Sequence, residues 1–289
     1  MHRGIVVALS DMHCGNKYGL MNPRTKVRGV DGERVEAGSL NGYTEWNRYL
    51  WEDVYIEAVN QVEKLANGDD IYVIHNGDLV QGDKYADDLS STRMSDQIIL
   101  AKECLSVWCK IDNVVGLRLA TGTGAHTFGE GSSDDLVTEM LLGEYDNDIA
   151  AIDHGLLDVF GVSVDYAHHG PSPGNKEWVT GNAARGYARD LMMQEVFHGE
   201  IPPNLILRSH FHKYVREVVT MIVGDIEYES TIVVTPSMCL LGGYGRQAMS
   251  SLSRVKNGLV AFEIIDGRIF QTHRMIKTVD LRKREVFDG

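Results

Sequence analysis

The sequence predicts an α/β fold organised around a buried parallel sheet. Residues 4–9, 71–74 and 114–120 form short apolar runs rich in β-branched side chains, which is typical of strands covered on both faces. Segments with apolar residues at helical spacing lie between these runs. Each run ends at a polar or glycine-containing turn that carries a titratable side chain, and α/β proteins hold ligands at the carboxyl ends of such strands. We therefore expect a functional site along one edge of the sheet.

The composition indicates a soluble globular protein with an acidic surface. The chain has 289 residues, of which 43% are hydrophobic and 24% charged, and its formal net charge is −13. Sequence-independent binding along a nucleic acid needs a basic stripe, so extended nucleic-acid binding is not expected. A nucleotide or a locally held strand stays possible, because metal cations can reverse the charge of one pocket.

The cysteines and the apolar segments favour a cytoplasmic address. The four cysteines contain no C-x-x-C pair and are too sparse for a disulfide framework in a chain of this length, so we expect reduced thiols. The sequence has no signal-peptide pattern and no apolar span long enough to cross a bilayer. The expectation is a cytoplasmic protein with no membrane partner.

The first strand, residues 4–9, leads directly into Ser10-Asp11-Met12-His13. Alternate side chains of an extended backbone share a face, so Asp11 and His13 are expected to bind one ion together. The alternative is a turn-capping aspartate beside a surface histidine, which is the commoner fate of an isolated D-x-H. Residues 16–43 are then predicted to form an inserted loop or irregular hairpin outside the core.

A helix is predicted from residue 44 to Asn67-Gly68, and the strand at 71–74 follows it. This strand ends in Asn76-Gly77-Asp78, where the glycine allows a sharp turn that delivers Asp78 to the sheet edge. A turn aspartate that bonds its own backbone is the plainer interpretation. After a helix at 95–110, the strand at 114–120 enters the turn 121–126, which ends at His126, and a further helix reaches residue 142.

The second half of the chain repeats the pattern. A predicted hairpin, 156–160 and 162–167, runs into His168-His169-Gly170, and residues 171–200 contain a loop and a helix. A short strand at 205–207 leads to His210 and His212, which the same alternation places on one face. Residues 213–289 alternate mainly like antiparallel strands, and no linker divides the chain, so we predict one domain over 1–289.

The strand ends together supply aspartate and histidine side chains of metal-ligand type. A mixture of carboxylate and imidazole suits Mn²⁺, Fe, Zn²⁺ or Ni²⁺, whereas Mg²⁺ and Ca²⁺ prefer oxygen. In this order the residues resemble the calcineurin-like metallophosphoesterases, whose pattern is D-x-H, G-D, G-N-H, a single H, and G-H-x-H. The resemblance spans residues 5–212, and the pattern appears here as Asp11-Met12-His13, Gly77-Asp78, the turn 121–126, His169-Gly170 and Ser209-His210-Phe211-His212.

The resemblance implies a four-layer αββα sandwich with two divalent metal ions at the carboxyl ends of its strands. Carried over by position, Asp11, His13 and His212 bind the first ion, His169 and His210 bind the second, and Asp78 bridges the two. By the same resemblance, His126 would lie beside the two ions and serve as the catalytic acid or phosphate contact. We expect His75, His154 and His168 to lie near the site without contacting the ions.

The turn at 121–126 departs from the family pattern. The family has an asparagine ligand directly before the catalytic histidine, but Ala125 stands at that position. The second ion therefore lacks one expected ligand, which Thr121, Thr123 or a water would have to replace. Gln81 and Ser209 also differ from the pattern, although neither change removes a ligand.

The implied function is metal-dependent hydrolysis of a phosphodiester, such as a nucleotide, by a hydroxide held between two metal ions. Alternatives within the family are a phosphomonoesterase and a nuclease, and the acidic net charge weighs against the nuclease. A non-catalytic metal-binding scaffold is the alternative of another class. Substrate choice is expected from the loops at 16–42, 171–176 and 239–254, with weaker candidate contacts at Arg246, Tyr244 and Arg208.

Overall fold

The computed structural model describes residues 2–29, 31–126, 133–174, 179–242, 254–282 and 285–286. The strands are β1 (Arg3–Leu9), β2 (Lys26–Arg28), β3 (Arg34–Glu36), β4 (Asp70–His75), β5 (Val114–Ala120), β6 (Asp148–Ile152), β7 (His154–Val159), β8 (Val162–Ala167), β9 (Leu205–Arg208), β10 (Val215–Val223), β11 (Ile226–Val234), β12 (Arg254–Ile265) and β13 (Arg268–Asp280). The α-helices are α1 (Glu45–Tyr49), α2 (Glu57–Ala66), α3 (Met94–Cys109), α4 (Ser133–Leu142) and α5 (Asn182–His198). Short 3₁₀ turns occupy Ala37–Ser39, Ala86–Asp88 and Gly124–His126.

The fold is mixed α/β and contains two large sheets. The first has six strands in the order β13-β12-β1-β4-β5-β6, and β1, β4, β5 and β6 run parallel to one another. The predicted parallel strands at 4–9, 71–74 and 114–120 are confirmed as its centre. The second sheet has the order β10-β11-β9-β8-β7, in which β8, β9 and β11 are parallel neighbours.

Three clusters of buried apolar side chains hold these elements together. Ile5 and Val7 face one way from β1 and pack with α2 and α3, whereas Val6 and Ala8 face the other way. The second face meets side chains of β8, β9 and β11 in a cluster between the two sheets. The outer face of the second sheet packs against Ala184, Ala188 and Met192 of α5. Each fully buried Val or Leu stabilises the fold by about 1.5 to 3 kcal/mol relative to exposure.

The inserted segment 16–43 is partly a hairpin, as predicted, since β2 and β3 pair antiparallel. The expectation that it lies outside the core is wrong, because Leu20 and Met21 are both 0% exposed. The backbone N–H of Leu20 donates to the carbonyl of Met12 at 2.8 Å, which ties the insertion to the end of β1. The insertion therefore buttresses the loop that carries Asp11 and His13.

The helix predicted from residue 44 is interrupted. Thr44 caps α1 in a capping box with Asn47, a π-helical stretch over Leu50–Ile56 follows, and α2 continues to a left-handed Asn67. Nothing in the apolar spacing marks the π-helical stretch. The helix predicted within residues 171–200 is observed as α5, and residues 175–178 lie outside the described residues.

The four cysteines are free and buried, in agreement with the predicted reduced thiols: Cys14, Cys104, Cys109 and Cys239. Burial raises the pKa of the Cys14 and Cys239 thiols well above the ordinary value, and raises the pKa of Cys109 to about 11. Among the described residues, no helix has the length and apolar character needed to cross a membrane.

Candidate metal centre

The candidate site lies where strands of both sheets end. Asp11 and His13 follow β1, Asp78 follows β4, and the turn 121–126 follows β5, all from the first sheet. The second sheet contributes the residues after β8 and after β9. The side chains of these segments form three overlapping groups: Asp11, His13 and His212; His13, Asp78 and His126; Asp78, His168 and His210.

The possible ligand atoms within each group all lie within 4.8 Å of one another. In the first group, Nε2 of His212 lies 3.3 Å from Nε2 of His13 and 3.4 Å from Oδ1 of Asp11. In the third group, Nε2 of His168 lies 3.1 Å from Oδ2 of Asp78, and the same Oδ2 lies 3.8 Å from Nε2 of His13. Asp78 thus links the first and third groups, which is the arrangement that a bridging carboxylate needs.

The backbone at the site adopts a conformation that side chains rarely accept. Among the described residues, five of the eight non-glycine residues with positive φ belong to these groups: Asp11 (52°), His13 (45°), Asp78 (57°), His210 (74°) and His212 (51°). Each such residue costs on the order of 1 to 3 kcal/mol and clusters of them are typical of functional sites. The assumption that Asp11 and His13 share a face of extended backbone is therefore wrong. Left-handed turns, not strand alternation, bring the pairs together.

Hydrogen bonds between neighbouring turns hold this strained backbone. The N–H of Asp11 donates to the carbonyl of Gly77 at 2.9 Å, and that of His13 donates to the carbonyl of Asp78 at 3.0 Å. Ser10 donates to the Asp11 carboxylate at 2.5 Å. Two of the turns that carry candidate ligands are thus fixed to each other before any ion binds.

The histidine that enters the third group is His168, whereas the sequence-based assignment chose His169. Buried positions alternate along β8 from Val162 to Tyr166, and His168 continues that inward face. Its Nδ1 lies 2.7 Å from the carbonyl of Asn76, so Nδ1 carries the proton and Nε2 faces Asp78. His169 is exposed, with its ring centroid 4.6 Å from that of His210. The alternation was present in the sequence and would have favoured His168.

The side chain of Thr123 lies among the residues of the third group. Its hydroxyl oxygen lies 3.2 Å from Nε2 of His168, 3.2 Å from Nδ1 of His210 and 3.3 Å from Oδ2 of Asp78. The backbone N–H of Thr123 also donates to Oδ1 of Asp78 at 2.6 Å. Of the replacements considered from sequence, Thr123 is the one placed inside the third group.

His126 belongs to the second group, with His13 and Asp78. Its Nε2 is 3.9 Å from Oδ2 of Asp78, and its ring meets that of His13 edge-on with centroids 4.4 Å apart. Nδ1 lies 2.6 Å from the carbonyl oxygen of Gln81, which can only accept, so Nδ1 carries a proton. Nε2 is left to face the site.

Burial and charge set the protonation of the buried groups. Burial lowers the pKa of His13 to about 3, and the neighbouring charge on His126 acts in the same direction. Burial also acts to lower the pKa of His168, but its hydrogen bond to Asp78 and the charge of Asp11 raise that pKa to about 9. Burial alone would raise the pKa of Asp78, yet the hydrogen bond and charge of His168 hold it below its usual range. The carboxylate is therefore ionised.

The donor set fits divalent metal ions. Oδ1 of Asp11, the oxygen that faces Nε2 of His212 at 3.4 Å, is buried without a hydrogen-bond partner among the described residues. A buried polar atom left unpaired costs about 1 to 3 kcal/mol, and a cation held by such an atom would offset that cost. Mixed carboxylate and imidazole donors suit the transition metals. His75 is also fully buried with both ring nitrogens unpaired, but it belongs to none of the three groups.

A cavity of about 200 Å³ opens onto the groups. Its lining includes His13, Asp78, His126, His210 and His212, together with Tyr85, Asp88, Leu240 and Leu241. The predicted substrate loop at 239–254 therefore does reach the site through its first residues. Tyr244 and Arg246 lie outside the described residues.

Arg208 does not reach this cavity, so its assignment as a substrate contact is corrected. The side chain is 0% exposed and its Nη2 lies 2.5 Å from Oδ1 of Asp165. Its Nε and Nη2 also donate to the Tyr187 hydroxyl at 3.0 and 2.9 Å. Alternate residues of β9 face α5, and Arg208 follows Ile206 onto that face. Its role is to join β9 to α5.

No family model and no curated protein matches the chain. Among solved structures, an archaeal phosphodiesterase has 8% identity and a TM-score of 0.38, with 96% of this chain and 99% of that chain covered. The Thermus thermophilus sulfate thiohydrolase SoxB has 12% identity and a TM-score of 0.38, with 97% and 57% covered. A Thermotoga maritima protein solved by NMR has 14% identity and a TM-score of 0.30, with 61% and 87% covered. Similarities this distant carry no argument about function, which has to come from the site.

Fold and site together define an α/β protein with a buried centre suited to divalent metal ions. The chain resembles the calcineurin-like metallophosphoesterases in the order of its aspartate and histidine motifs. The structure brings most of those motif residues into contact, with His168 in place of His169.

Proposed function

We propose that the protein is a metal-dependent phosphoesterase of the calcineurin-like type that hydrolyses a phosphodiester. The observation that carries this proposal is the set of three overlapping, largely buried Asp and His groups, of which the first two share His13 and the last two share Asp78. The three apolar clusters support a four-layer αββα sandwich in one domain, since they lie on both outer faces and between the sheets. The free thiols of the cysteines favour a cytoplasmic location.

Two divalent ions would be held by the first and the third of these groups. Asp11, His13 and His212 would hold the first, while His168, His210 and Thr123 would hold the second, with Asp78 shared. Such ions, when bound, supply activation of water and neutralisation of phosphoryl charge. Manganese is the ion we would load first, because it accepts both oxygen and imidazole ligands.

Proton donation and substrate binding are assigned to side chains of the protein. The Gln81 carbonyl fixes the Nδ1 proton of His126, so Nε2 donates a proton to a leaving oxygen only when the ring is an imidazolium. His126 is therefore our candidate for general acid. Tyr85, Leu240 and Leu241 contribute apolar surface to the lining of the same cavity, which suits the organic part of an ester. Among the described residues that line the cavity there is no lysine or arginine to neutralise a second phosphoryl charge, which favours a diester over a monoester.

The test is hydrolysis of a bis-aryl phosphodiester beside the matching monoester, with Mn²⁺ added. We expect diester cleavage by the wild type and its loss in Asp78→Asn, because the shared ligand is weakened. Asp158→Asn is the matched control, since Asp158 is an exposed aspartate far along the chain in β7. His126→Ala should lower turnover by about 10²- to 10⁴-fold with its metal content preserved.

The alternatives each predict a different result. Faster monoester cleavage would identify a phosphomonoesterase. Absence of cleavage of both esters, with two ions demonstrably bound, would favour the non-catalytic scaffold. Equal turnover of Asp78→Asn and Asp158→Asn would overturn the proposed site.

A further inference from the structure

A second surface feature begins at the candidate metal centre and leads away from it. Two adjoining cavities of about 470 and 540 Å³ share Tyr214 and Arg216 as lining residues. The first is also lined by His212, which belongs to the first metal group. The second extends to Phe270 and Arg274 on β13. We call this continuous surface the edge groove, because β10 and β13 are the edge strands of the two sheets.

The edge groove is basic although the protein is acidic. Its lining contains five cationic side chains and, among the described residues, one carboxylate: Lys213, Arg216, Arg254, Lys256, Arg274 and the carboxylate Glu217. The net charge of the chain is −13, so the sign of the charge is reversed locally. This reversal is what an anion must meet in order to approach an acidic protein.

Several of these cations have no carboxylate partner. Glu217 is paired with Arg185 at 2.9 Å, and Arg254 lies 3.7 Å from Asp280. Arg216, Lys256 and Arg274 form no ion pair with any residue in the described part of the chain, and all three are exposed. Their charges are therefore available to an anionic ligand.

Aromatic side chains are interleaved with these cations. Phe270 is 67% exposed, so its ring is accessible to a ligand. Tyr214 is half-buried, and its hydroxyl oxygen has no hydrogen-bond partner among the described residues. Tyr214 lines the same cavity as Arg216 and Arg274. Burial raises the pKa of Tyr214, while the charges of Arg274 and Arg216 act to lower it. Cations beside aromatic rings are the combination that holds single-stranded nucleic acids, through phosphate contacts and base stacking.

We propose that the edge groove binds a single-stranded nucleic acid and leads one of its phosphodiesters into the metal centre. This inference rests on the proposed phosphodiesterase function and narrows its substrate class to oligonucleotides. The cations contact successive phosphates, and Phe270 and Tyr214 stack against bases. The acidic remainder of the surface repels any strand that does not follow the groove.

A structural role for the same charges makes a different prediction. Charged side chains on edge strands prevent sheets from pairing edge to edge and aggregating. If that were their only role, their removal would increase self-association and leave oligonucleotide binding unchanged. Binding and oligomeric state are therefore measured on the same variants.

The first test is fluorescence anisotropy of a labelled ten-residue oligothymidylate with wild-type protein in EDTA, which prevents turnover. We expect Arg216→Gln/Arg274→Gln to weaken binding at least about tenfold, and to reduce the salt dependence of log K by about 1.4, since each phosphate contact to a single strand contributes roughly 0.7. The control is Lys64→Gln/Arg189→Gln, which removes two exposed cations from α2 and α5. Equal affinity and equal salt dependence of the two double variants would overturn the proposal.

A second pair of variants tests stacking and remains informative if the double variant unfolds. Phe270→Ala should weaken binding severalfold, because stacking contributes about 1 to 3 kcal/mol per base. Phe197→Ala is the control, since Phe197 is a 77% exposed ring on α5. Oligouridylate and a duplex of the same length serve as competitors; either single strand supports the proposal, and tighter binding of the duplex contradicts it.

The groove and the proposed function fail in distinguishable ways. If the protein cleaved the bis-aryl diester and the groove variants did not change oligonucleotide binding, the phosphodiesterase proposal would stand and the groove proposal would be rejected. If the groove variants weakened oligonucleotide binding but no ester were cleaved, the groove proposal would stand and the phosphodiesterase proposal would be rejected. In the expected case, Arg216→Gln/Arg274→Gln loses oligonucleotide cleavage while its turnover of the small diester is unchanged.

Discussion

Thr123 contacts the residues proposed to bind the second ion, so a change at Thr123 distinguishes the two proposed ion sites. Its hydroxyl oxygen lies within 3.3 Å of possible ligand atoms of Asp78, His168 and His210. Among the described residues it forms no hydrogen bond with Asp11, His13 or His212. Thr123→Val keeps the shape of the side chain and the backbone N–H bond to Asp78. We expect the affinity of one of two Mn²⁺ sites to fall about 10- to 100-fold and the other to be unchanged, as measured by calorimetric titration.

Thr121→Val is the matched control for that measurement, since it removes a hydroxyl from the same turn. Two sites of wild-type affinity in Thr123→Val would show that the threonine hydroxyl is not a ligand.

Two adjacent histidines give a second residue-scale prediction. His168→Ala should lose about one bound metal ion per chain by elemental analysis, because His168 faces Asp78 at 3.1 Å. His169→Ala should retain both ions, because His169 is exposed outside the three groups. The opposite pattern would restore the sequence-based assignment of His169.

At the scale of single residues, the sequence was better at predicting which residue types form the site than at predicting which side chains contact one another. The order of Asp11, His13, Asp78 and His126 was enough to predict that these residues meet. The choice between His168 and His169 depended on which face of β8 turns inward, and that choice followed the buried alternation from Val162. The position of Thr123 could not be predicted, because it depends on the path of a turn with no repeating pattern.

The turn after β5 is the element on which the site depends most. A methyl group at Gly122 would lie 2.3 Å from Oδ1 of Asp78, whereas one at Gly124 would meet nothing within 4 Å. Gly122→Ala must therefore displace the turn and break the Thr123 N–H bond to Asp78. We expect metal affinity to fall at least about tenfold and stability by about 1 to 3 kcal/mol, measured by titration and denaturation.

Gly124→Ala, two residues further along, should resemble the wild type in both measurements. Equal behaviour of the two alanine variants would mean that the turn adapts without cost, and that Thr123 is not positioned by its neighbours.

Elements were predictable where periodicity or capping chemistry defined them. The strands β1, β4 and β5 and the end of α2 at Asn67 followed from such signals. The insertion 16–43 was misjudged because its buried residues, Leu20 and Met21, are isolated in a glycine-rich segment without a period. The π-helical stretch at Leu50–Ile56 was missed because it keeps roughly the same apolar face as an α-helix.

At the scale of the whole molecule, the candidate ligands join the two sheets. Asp11, His13 and Asp78 follow strands of the first sheet, and His168, His210 and His212 follow strands of the second. Ions bound between them should stabilise the folded state by about 2.7 kcal/mol per site at 100 times Kd. We expect saturating Mn²⁺ to raise Tm by about 5 to 10 °C in the wild type, measured by differential scanning calorimetry.

The same addition should have a much smaller effect on Asp78→Asn, and EDTA should reverse the shift in the wild type. An equal rise of Tm in Asp78→Asn would show that the stabilising ions bind elsewhere.

The division of strands between the sheets was beyond sequence reasoning. The alternation at 213–289 predicted antiparallel strands correctly, but β10 and β11 join the second sheet while β12 and β13 join the first. That choice rests on pairings between distant segments, such as Ile5 with Glu263. The edge groove joins the two sheets, because Arg216 of β10 and Arg274 of β13 line the same cavity.

The reactivity of the buried cysteines can be used to measure local unfolding of the protein. Only a thiolate reacts with an alkylating reagent, and burial both hides Cys14, Cys104, Cys109 and Cys239 and disfavours ionisation of Cys14, Cys109 and Cys239. The rate of labelling in native buffer therefore measures how often each region opens. Cys14 directly follows His13, so a bound ion should slow labelling at Cys14 more than at Cys109. Mass spectrometry of the labelled peptides would then map, thiol by thiol, how far from the ions their protection extends.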